Sequence, residues 1–224
     1  MEKPKPYLSF DLDGTLVELG FTELVWHQGI PELYAVKTGL ALSQARALVL
    51  EEYRTVGDGA LEWYDLAYWF RVLDIPGAWA DLLKRYASEV RVYPEVHEVL
   101  SRLRERYTLI ILSNAAQEFI EVEMREGALA GYFAQVFSAT SDFRLVKKSP
   151  AFYRMICERL RIAPQHLTHI GDHWEFDYQS PRRIGITAVH LNRSGDGSGP
   201  DVLTDLRPLP EFLDRRDNEN RGKE

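Results

Sequence analysis

The stretch Tyr7-Leu8-Ser9-Phe10-Asp11-Leu12-Asp13-Gly14-Thr15 decides how the rest of the chain is read. A mostly apolar run of strand length passes without a break into two carboxylates and an Asp-Gly pair. This is the pattern of a short buried strand delivering a polar loop. In open α/β sheets, loops at the carboxyl ends of strands face ligands. Taken alone, Asp13-Gly14 is also ordinary turn chemistry, so its meaning depends on what the other strands deliver.

Downstream of Tyr93-Pro94 the chain alternates between helix and strand. Residues 95–106 predict an amphipathic helix, with Val96, Val99, Leu100 and Leu103 at helical spacing. Residues 108–112 are a continuous apolar run ending at Ser113-Asn114, and residues 119–126 are helix-like. Residues 135–138 form a short strand candidate and 151–161 a helix. Residues 167–170 are a strand ending at Gly171-Asp172, and 186–191 a further strand. Strands that are apolar throughout and alternate with helices imply an α/β fold, a parallel sheet between helical layers.

Residues 22–88 interrupt that pattern. Helix-like segments at 33–37, 43–55, 61–73 and 78–88 are separated by Thr38-Gly39, Gly57-Asp58-Gly59 and Ile75-Pro76-Gly77. In the second, Ala45, Leu48, Val49 and Glu52 share a face, so the apolar stripe is expected to end near Val49. The expected organisation is an α/β core over residues 1–18 and 90–213, with a helical insert over 19–89. The charged, apolar-poor residues 214–224 read as a disordered tail. Ser194-Gly195-Asp196-Gly197-Ser198-Gly199-Pro200 reads as a flexible loop.

Composition narrows the function. The chain has 224 residues, 45% hydrophobic and 27% charged, an ordinary balance for a soluble globular protein. Its formal net charge of -7 offers no global positive field for nucleic acid or anionic lipid. No apolar run approaches membrane-spanning length, and the Met1–Pro6 segment lacks a signal peptide's apolar stretch. A cytoplasmic location, with neither nucleic acid nor membrane as partner, is expected. Cys157 is the only cysteine, so thiolate zinc clusters and internal disulfides are excluded. Its apolar setting marks a buried structural thiol.

Three expected strands thus end in polar groups: Asp11 and Asp13, Ser113 and Asn114, and Asp172. Carboxylates converging there make an oxygen-rich site suited to Mg²⁺. Lys147, in the loop before a helix, could bring positive charge, and Ser113 a hydroxyl. The two acids of the first loop could divide labour, one attacking while the other moves protons.

Asp11-Leu12-Asp13-Gly14-Thr15 resembles the first motif of the haloacid dehalogenase superfamily, and Ser113-Asn114 resembles the second. Alignment on Pro150 selects Lys147 as the third-motif lysine, with Lys148 the alternative. Gly171-Asp172, followed by Asp177, resembles the fourth. The resemblance implies a Rossmann-like core with an inserted C1-type cap, as in phosphoglycolate-phosphatase-like and dehalogenase-like members. It implies a Mg²⁺-dependent phosphatase in which Asp11 attacks phosphorus and Asp13 serves as acid and base. Ser113, Asn114 and Lys147 would hold the phosphoryl group of a small phosphorylated metabolite, with Thr15 in support. Asp11, Asp13 (through its carbonyl) and Asp172 would bind metal, with Asp177 behind them.

A 2-haloacid dehalogenase is a competing reading, against which Asp13 counts, because a halide needs no proton to leave. A sugar-phosphate mutase shares the whole constellation, and a non-catalytic binding protein on the same fold is the alternative of another class. His173 is read either as a substrate or water contact or as a packing histidine. The insert is aromatic-rich, including Trp26, Tyr53, Trp63 and Trp69, mostly as its own core and its interface with the sheet domain.

Overall fold

A computed structural model describes residues 5–195, 197 and 199–221, the side chains of 217–221 excepted. Met1–Pro4, Asp196 and Ser198 of the glycine-rich loop, and residues 222–224 of the tail lie outside the described residues.

Six parallel strands form one sheet in the order β3-β2-β1-β4-β5-β6. They are β1 (Tyr7–Phe10), β2 (Thr108–Ser113), β3 (Gln135–Ser138), β4 (Leu167–Gly171), β5 (Thr187–Leu191) and β6 (Val202–Leu203). The chain starts at the central β1, builds outward through β2 and β3, then returns to lay β4 on the other side of β1. Strand order therefore reverses at β1, and the crevice for a ligand opens at its carboxyl end.

The apolar runs are explained by burial on both faces. Along β2, Leu109 and Ile111 enter one core, whereas Ile110 and Leu112 enter a second core with Phe152, Tyr153, Ile156 and Cys157. Burial of Cys157 pushes its thiol pKa up, as a structural cysteine requires.

Between β1 and β2 the chain forms α1 (Gly20–Leu24), a π-helical turn, α2 (Ile30–Thr38), α3 (Leu42–Val56), α4 (Leu66–Val72) and α5 (Trp79–Tyr86). Two details differ from expectation. The stripe of α3 runs Ala45, Val49, Tyr53, one turn past Val49, and Leu48 is exposed. The single helix expected over 61–73 is broken at Asp65, whose carboxylate accepts from Tyr68 N at 3.1 Å and restarts the chain as α4. Trp26 stacks on Phe119 of the sheet domain at 5.3 Å, and Phe21 packs against the same ring. The aromatics thus tie the insert to the core.

The remaining helices are α6 (Val96–Leu103), α7 (Gln117–Glu126), α8 (Ala139–Phe143), α9 (Pro150–Leu160), α10 (Ser180–Arg182) and α11 (Leu209–Arg221). The last continues as helix through residues 214–221 of the segment expected as a disordered tail. Leu209, Phe212 and Leu213 are buried and dock the helix on the core. Three of its charges are partnered: Glu211 with Arg102 at 2.6 Å, Asp214 with Arg106, and Arg216 with Asp201. Three apolar anchors just before a charged run suffice to order it, and composition averaged over the run hides them. No helix among the described residues is long and apolar enough to cross a membrane.

Candidate active site

Asp11 is the first residue past β1, and its N–H continues the ladder by donating to Ile170 O at 2.8 Å. The loop then turns tightly, with Gly14 N donating to Val17 O at 2.7 Å. Gly14 sits at φ 72°, and a Cβ there would lie 2.4 Å from Asp172 Oδ2. Only glycine supplies this left-handed turn while letting the fourth-motif carboxylate close over the loop. Thr15 Oγ1 faces Asp172 Oδ1 at 3.4 Å, a weak contact. Arg193 clamps the loop from behind, donating to Thr15 O at 2.7 Å and pairing with buried Glu95 at 2.9 Å.

The lysine at the centre is Lys148, not Lys147. Lys148 is 1% exposed, and its Nζ lies 2.5 Å from Asp11 Oδ1 and 2.6 Å from Asp177 Oδ1, also donating to Leu112 O at 3.1 Å. Lys147 faces outward, pairing with Asp58 of the insert at 2.9 Å and lying over the Phe176 ring. The reason is local. Ser149 caps α9 by accepting from Phe152 N, and Pro150 takes the first helical position. Lys148 N–H is fixed by Asn114 Oδ1 at 2.8 Å, which turns the residue just before the cap inward. The cap residue, rather than the proline, sets the phase.

Asn114 is therefore occupied: its side chain holds Lys148 and its carbonyl accepts from Thr140 Oγ1 at 3.2 Å. Ser113 is buried, and its hydroxyl oxygen accepts from Ala115 N at 3.0 Å, leaving the O–H free to donate. Burial and then Asp177 raise the pKa of Asp11 well above the usual carboxylate range, against the pull of Lys148. Burial, then Asp177, also raises Asp172. Asp177 goes the other way: burial opposes its charge, but Lys148 and then His169 hold it well below the usual range. Burial likewise opposes the Lys148 charge, yet Asp11 and Asp177 outweigh it and raise its pKa.

Carboxylate oxygens of Asp11, Asp172 and Asp177 lie within 4.8 Å of one another. Such crowding of acids, Asp11 and Asp177 buried and Asp172 half-buried, suits a divalent cation with oxygen ligands. Asp177 has little left to offer: Oδ1 takes Lys148 and His169, and Oδ2 accepts from His173 N at 3.0 Å. Asp11 and Asp172 are the acids of this group with an oxygen left to offer a cation, and Asp177 lies behind them. His173 is a helix cap, its Nδ1 accepting from Glu175 N and Phe176 N at 3.2 and 3.3 Å.

Gly171 makes room for Asp177, because a Cβ there would meet the Asp177 carboxyl at 2.4–2.6 Å. Gly171→Ala is expected to destabilise the fold by about 1–3 kcal/mol through overpacking. It should also displace Asp177 from Lys148. Denaturant unfolding gives the first quantity, and an unchanged midpoint would contradict it.

Glu123 of α7 belongs to none of the sequence motifs. It is fully buried, and both its oxygens, like Asp13 Oδ1, lack hydrogen-bond partners among the described residues. Its side chain faces Asp13, and burial raises the pKa of both acids, Glu123 further because Asp13 adds to it. Both acids are thereby pushed toward their protonated forms. The sequence signal was an acid within the apolar stripe of Phe119, Ile120 and Met124.

A family model of haloacid dehalogenase-like hydrolases matches residues 7–185. The chain belongs to that family. This hydrolase is 26% identical over 117 residues to (S)-2-haloacid dehalogenase 4A of Burkholderia cepacia, covering 52% of the chain and about half of that enzyme (50%). It is 24% identical to a GMP/IMP nucleotidase of Escherichia coli, over 72% of each chain. The crystal structure of a HAD phosphatase from Thermococcus onnurineus superposes with a TM-score of 0.80 at 25% identity, covering 93% of this hydrolase and 97% of that chain. The neighbours thus include proteins named as a dehalogenase, a nucleotidase and a phosphatase.

Proposed function

We propose that this hydrolase is a Mg²⁺-dependent phosphatase that transfers the phosphoryl group of a small phosphomonoester to Asp11. The observation that carries the proposal is Asp13, which sits on the same tight loop as that nucleophile and whose pKa is raised by burial. An alkoxide leaving group needs a proton, and a carboxyl whose pKa is raised by burial is suited to deliver one. A halide needs none.

In this reading an Asp11 carboxylate oxygen forms a bond to phosphorus as the ester P–O bond breaks. Asp13 gives its proton to the departing oxygen. Asp13 then takes a proton from water, whose oxygen attacks phosphorus, and the Asp11–phosphorus bond breaks to release phosphate. Lys148 holds Asp11 in direction and offsets charge, and Ser113 O–H donates to a phosphoryl oxygen. Asp11, Asp172 and the carbonyl of Asp13 would hold the cation, which when bound supplies charge neutralisation at the phosphoryl oxygens.

A cleft of about 250 Å³ between insert and core supports an expectation about the leaving group. It is lined by Glu62, Tyr64, Asp65, Glu118, Thr140 and Arg144, among others, and Ala116 of the loop that follows Ser113. Three carboxylates face one guanidinium there, and burial followed by Asp65 raises the Glu118 pKa. A second carboxylate on the substrate meets repulsion in this cleft, whereas an ammonium is attracted, a difference of about 1 kcal/mol or several-fold in kcat/KM. Phosphate release from p-nitrophenyl phosphate, phosphoethanolamine, O-phosphoserine, phosphoglycolate and GMP, with Mg²⁺ or with EDTA, tests both levels. Turnover should require the metal, and phosphoethanolamine should exceed phosphoglycolate. No release from any ester with Mg²⁺ would sink the phosphatase, and metal-independent halide release from a 2-haloacid would replace it.

A further inference from the structure

Ser9 and His169 are paired in register at the centre of the sheet, Ser9 on β1 and His169 on β4. Both are 0% exposed. Polar side chains in the middle of two central parallel strands run against the apolar pattern of the sheet, and each must be satisfied internally. Ser9 Oγ lies 2.8 Å from His169 Nδ1, and His169 Nε2 lies 3.0 Å from Asp177 Oδ1. The same Asp177 oxygen meets Lys148 Nζ at 2.6 Å, and Lys148 meets Asp11 at 2.5 Å. The geometry is set by strand alternation. Ser9 and Asp11 are two residues apart and share a face, as do His169 and Gly171, whose missing side chain leaves the space that Asp177 fills. Tyr153 of α9 closes this face edge-on against the His169 ring at 5.2 Å.

The direction of each hydrogen bond follows from counting protons. Ser9 has one, with His169 Nδ1 at 2.8 Å and Thr168 O at 3.2 Å as possible acceptors. Were it given to Thr168 O, Nδ1 would have to be the ring's N–H. A neutral ring would then turn a bare Nε2 lone pair on a carboxylate oxygen. A cationic ring would put a second positive charge on an oxygen already bound to Lys148. The arrangement without conflict is Ser9 O–H donating to Nδ1 and Nε2–H donating to Asp177.

We infer that Ser9 and His169 are positioning residues for phosphoryl transfer, fixing Asp177 through a single imidazole tautomer so that Lys148 stays aimed at Asp11. Neither touches the site that substrate enters. Asp177 has two rotatable side-chain bonds and is pinned at both oxygens, from His169 and Lys148 on one and His173 N on the other. Without the imidazole its carboxylate can rotate, and Lys148 follows it away from the nucleophile. The inference rests on the phosphatase reading for its kinetic consequence, but the tautomer does not depend on that reading.

The test therefore has two arms on the full chain. In the first, ring ¹⁵N spectra of histidine-labelled protein should show His169 neutral and protonated at Nε2, and Ser9→Ala should shift the Nδ1 resonance. An Nδ1–H ring in the wild type would overturn the assignment whether or not the protein hydrolyses phosphate esters. In the second, His169→Phe should lower kcat for p-nitrophenyl phosphate about 10–100-fold at saturating Mg²⁺. His169→Gln, which keeps an N–H donor, should recover part of the loss, and Ser9→Ala should cost about three- to tenfold. A double-mutant cycle with Asp177→Asn decides the route: action through Asp177 makes the losses strongly non-additive, whereas full additivity overturns it. If His169→Phe does not fold, Ser9→Ala and His169→Gln carry the same cycle, and unchanged kcat in both would overturn the inference. A wild type inert toward every ester would remove the phosphatase reading and leave the spectroscopic arm to judge the hydrogen-bond chain.

Discussion

Lys148→Met is expected to reduce kcat by on the order of 10²–10³-fold, whereas Lys147→Ala should stay within about threefold of wild type. The contrast follows from where each ammonium sits. Lys148 is the cation between two buried carboxylates, Asp11 and Asp177, and Lys147 is a partly exposed partner of Asp58 on the insert. Methionine fills the same volume without charge or donors. It leaves Asp177 fully buried with only His169 and a backbone N–H as partners. Breaking one side of a buried pair costs about 3–5 kcal/mol, so the variant should also unfold at lower denaturant concentration. For Lys147→Ala the exposed ion pair contributes at most about 1 kcal/mol. The opposite pattern, with Lys147→Ala inactive and Lys148→Met near wild type, would mean that the lysine nearest Asp11 is not the one the reaction uses.

The second large effect is expected at the nucleophile. Asp11→Asn should lower kcat by at least about 10⁴-fold, because a neutral amide is a poor nucleophile toward phosphorus and no parallel route is in place. Acid-quenched wild type caught during turnover should carry a phosphoryl group on the peptide containing residue 11, and the variant should carry none. Unlike Lys148→Met, this substitution should leave the fold intact. Asp11 is a buried acid whose charge is opposed by burial and by Asp177, and Lys148 keeps Asp177 and Leu112 O when Asp11 is neutralised. Equal unfolding midpoints with a collapsed kcat separate chemistry from stability. Residual turnover above about one hundredth of wild type would place the nucleophile elsewhere.

Much of the architecture was legible in the order of residues because parallel strands buried on both faces are continuous apolar runs. The runs at Tyr7–Phe10 and Leu167–Gly171 lead into Asp11 and Asp172, whose carboxylates the structure brings together, and Thr108–Ser113 pairs beside the first. The two-residue β6, the helix α8 and the terminal helix α11 were not visible. A two-residue strand has no period, and α11 owes its order to Leu209, Phe212 and Leu213 docking on a distant surface. The break at Asp65 is hidden in the sequence because apolar spacing persists across it, and only the side-chain cap marks a new helix start.

Local order along the chain determined which kinds of groups stand at the sheet's carboxyl edge: acids after the first strand, a hydroxyl after the second, an acid after the fourth. That much is a property of strand length and of the polar residue at which each apolar run stops. Which lysine turns inward, which acid is silenced by a neighbour and which histidine lies beneath the nucleophile were settled only by the fold. Adjacent Lys147 and Lys148 have the same chemistry, and the difference between them arises from a helix cap at Ser149 and an amide from Asn114, 34 residues away. Glu123 and His169 looked like ordinary members of a helix and a strand until burial removed water from around them. In that dry interior a carboxyl must find a proton and an imidazole must choose a tautomer. Those choices depend on neighbours that sequence separation conceals.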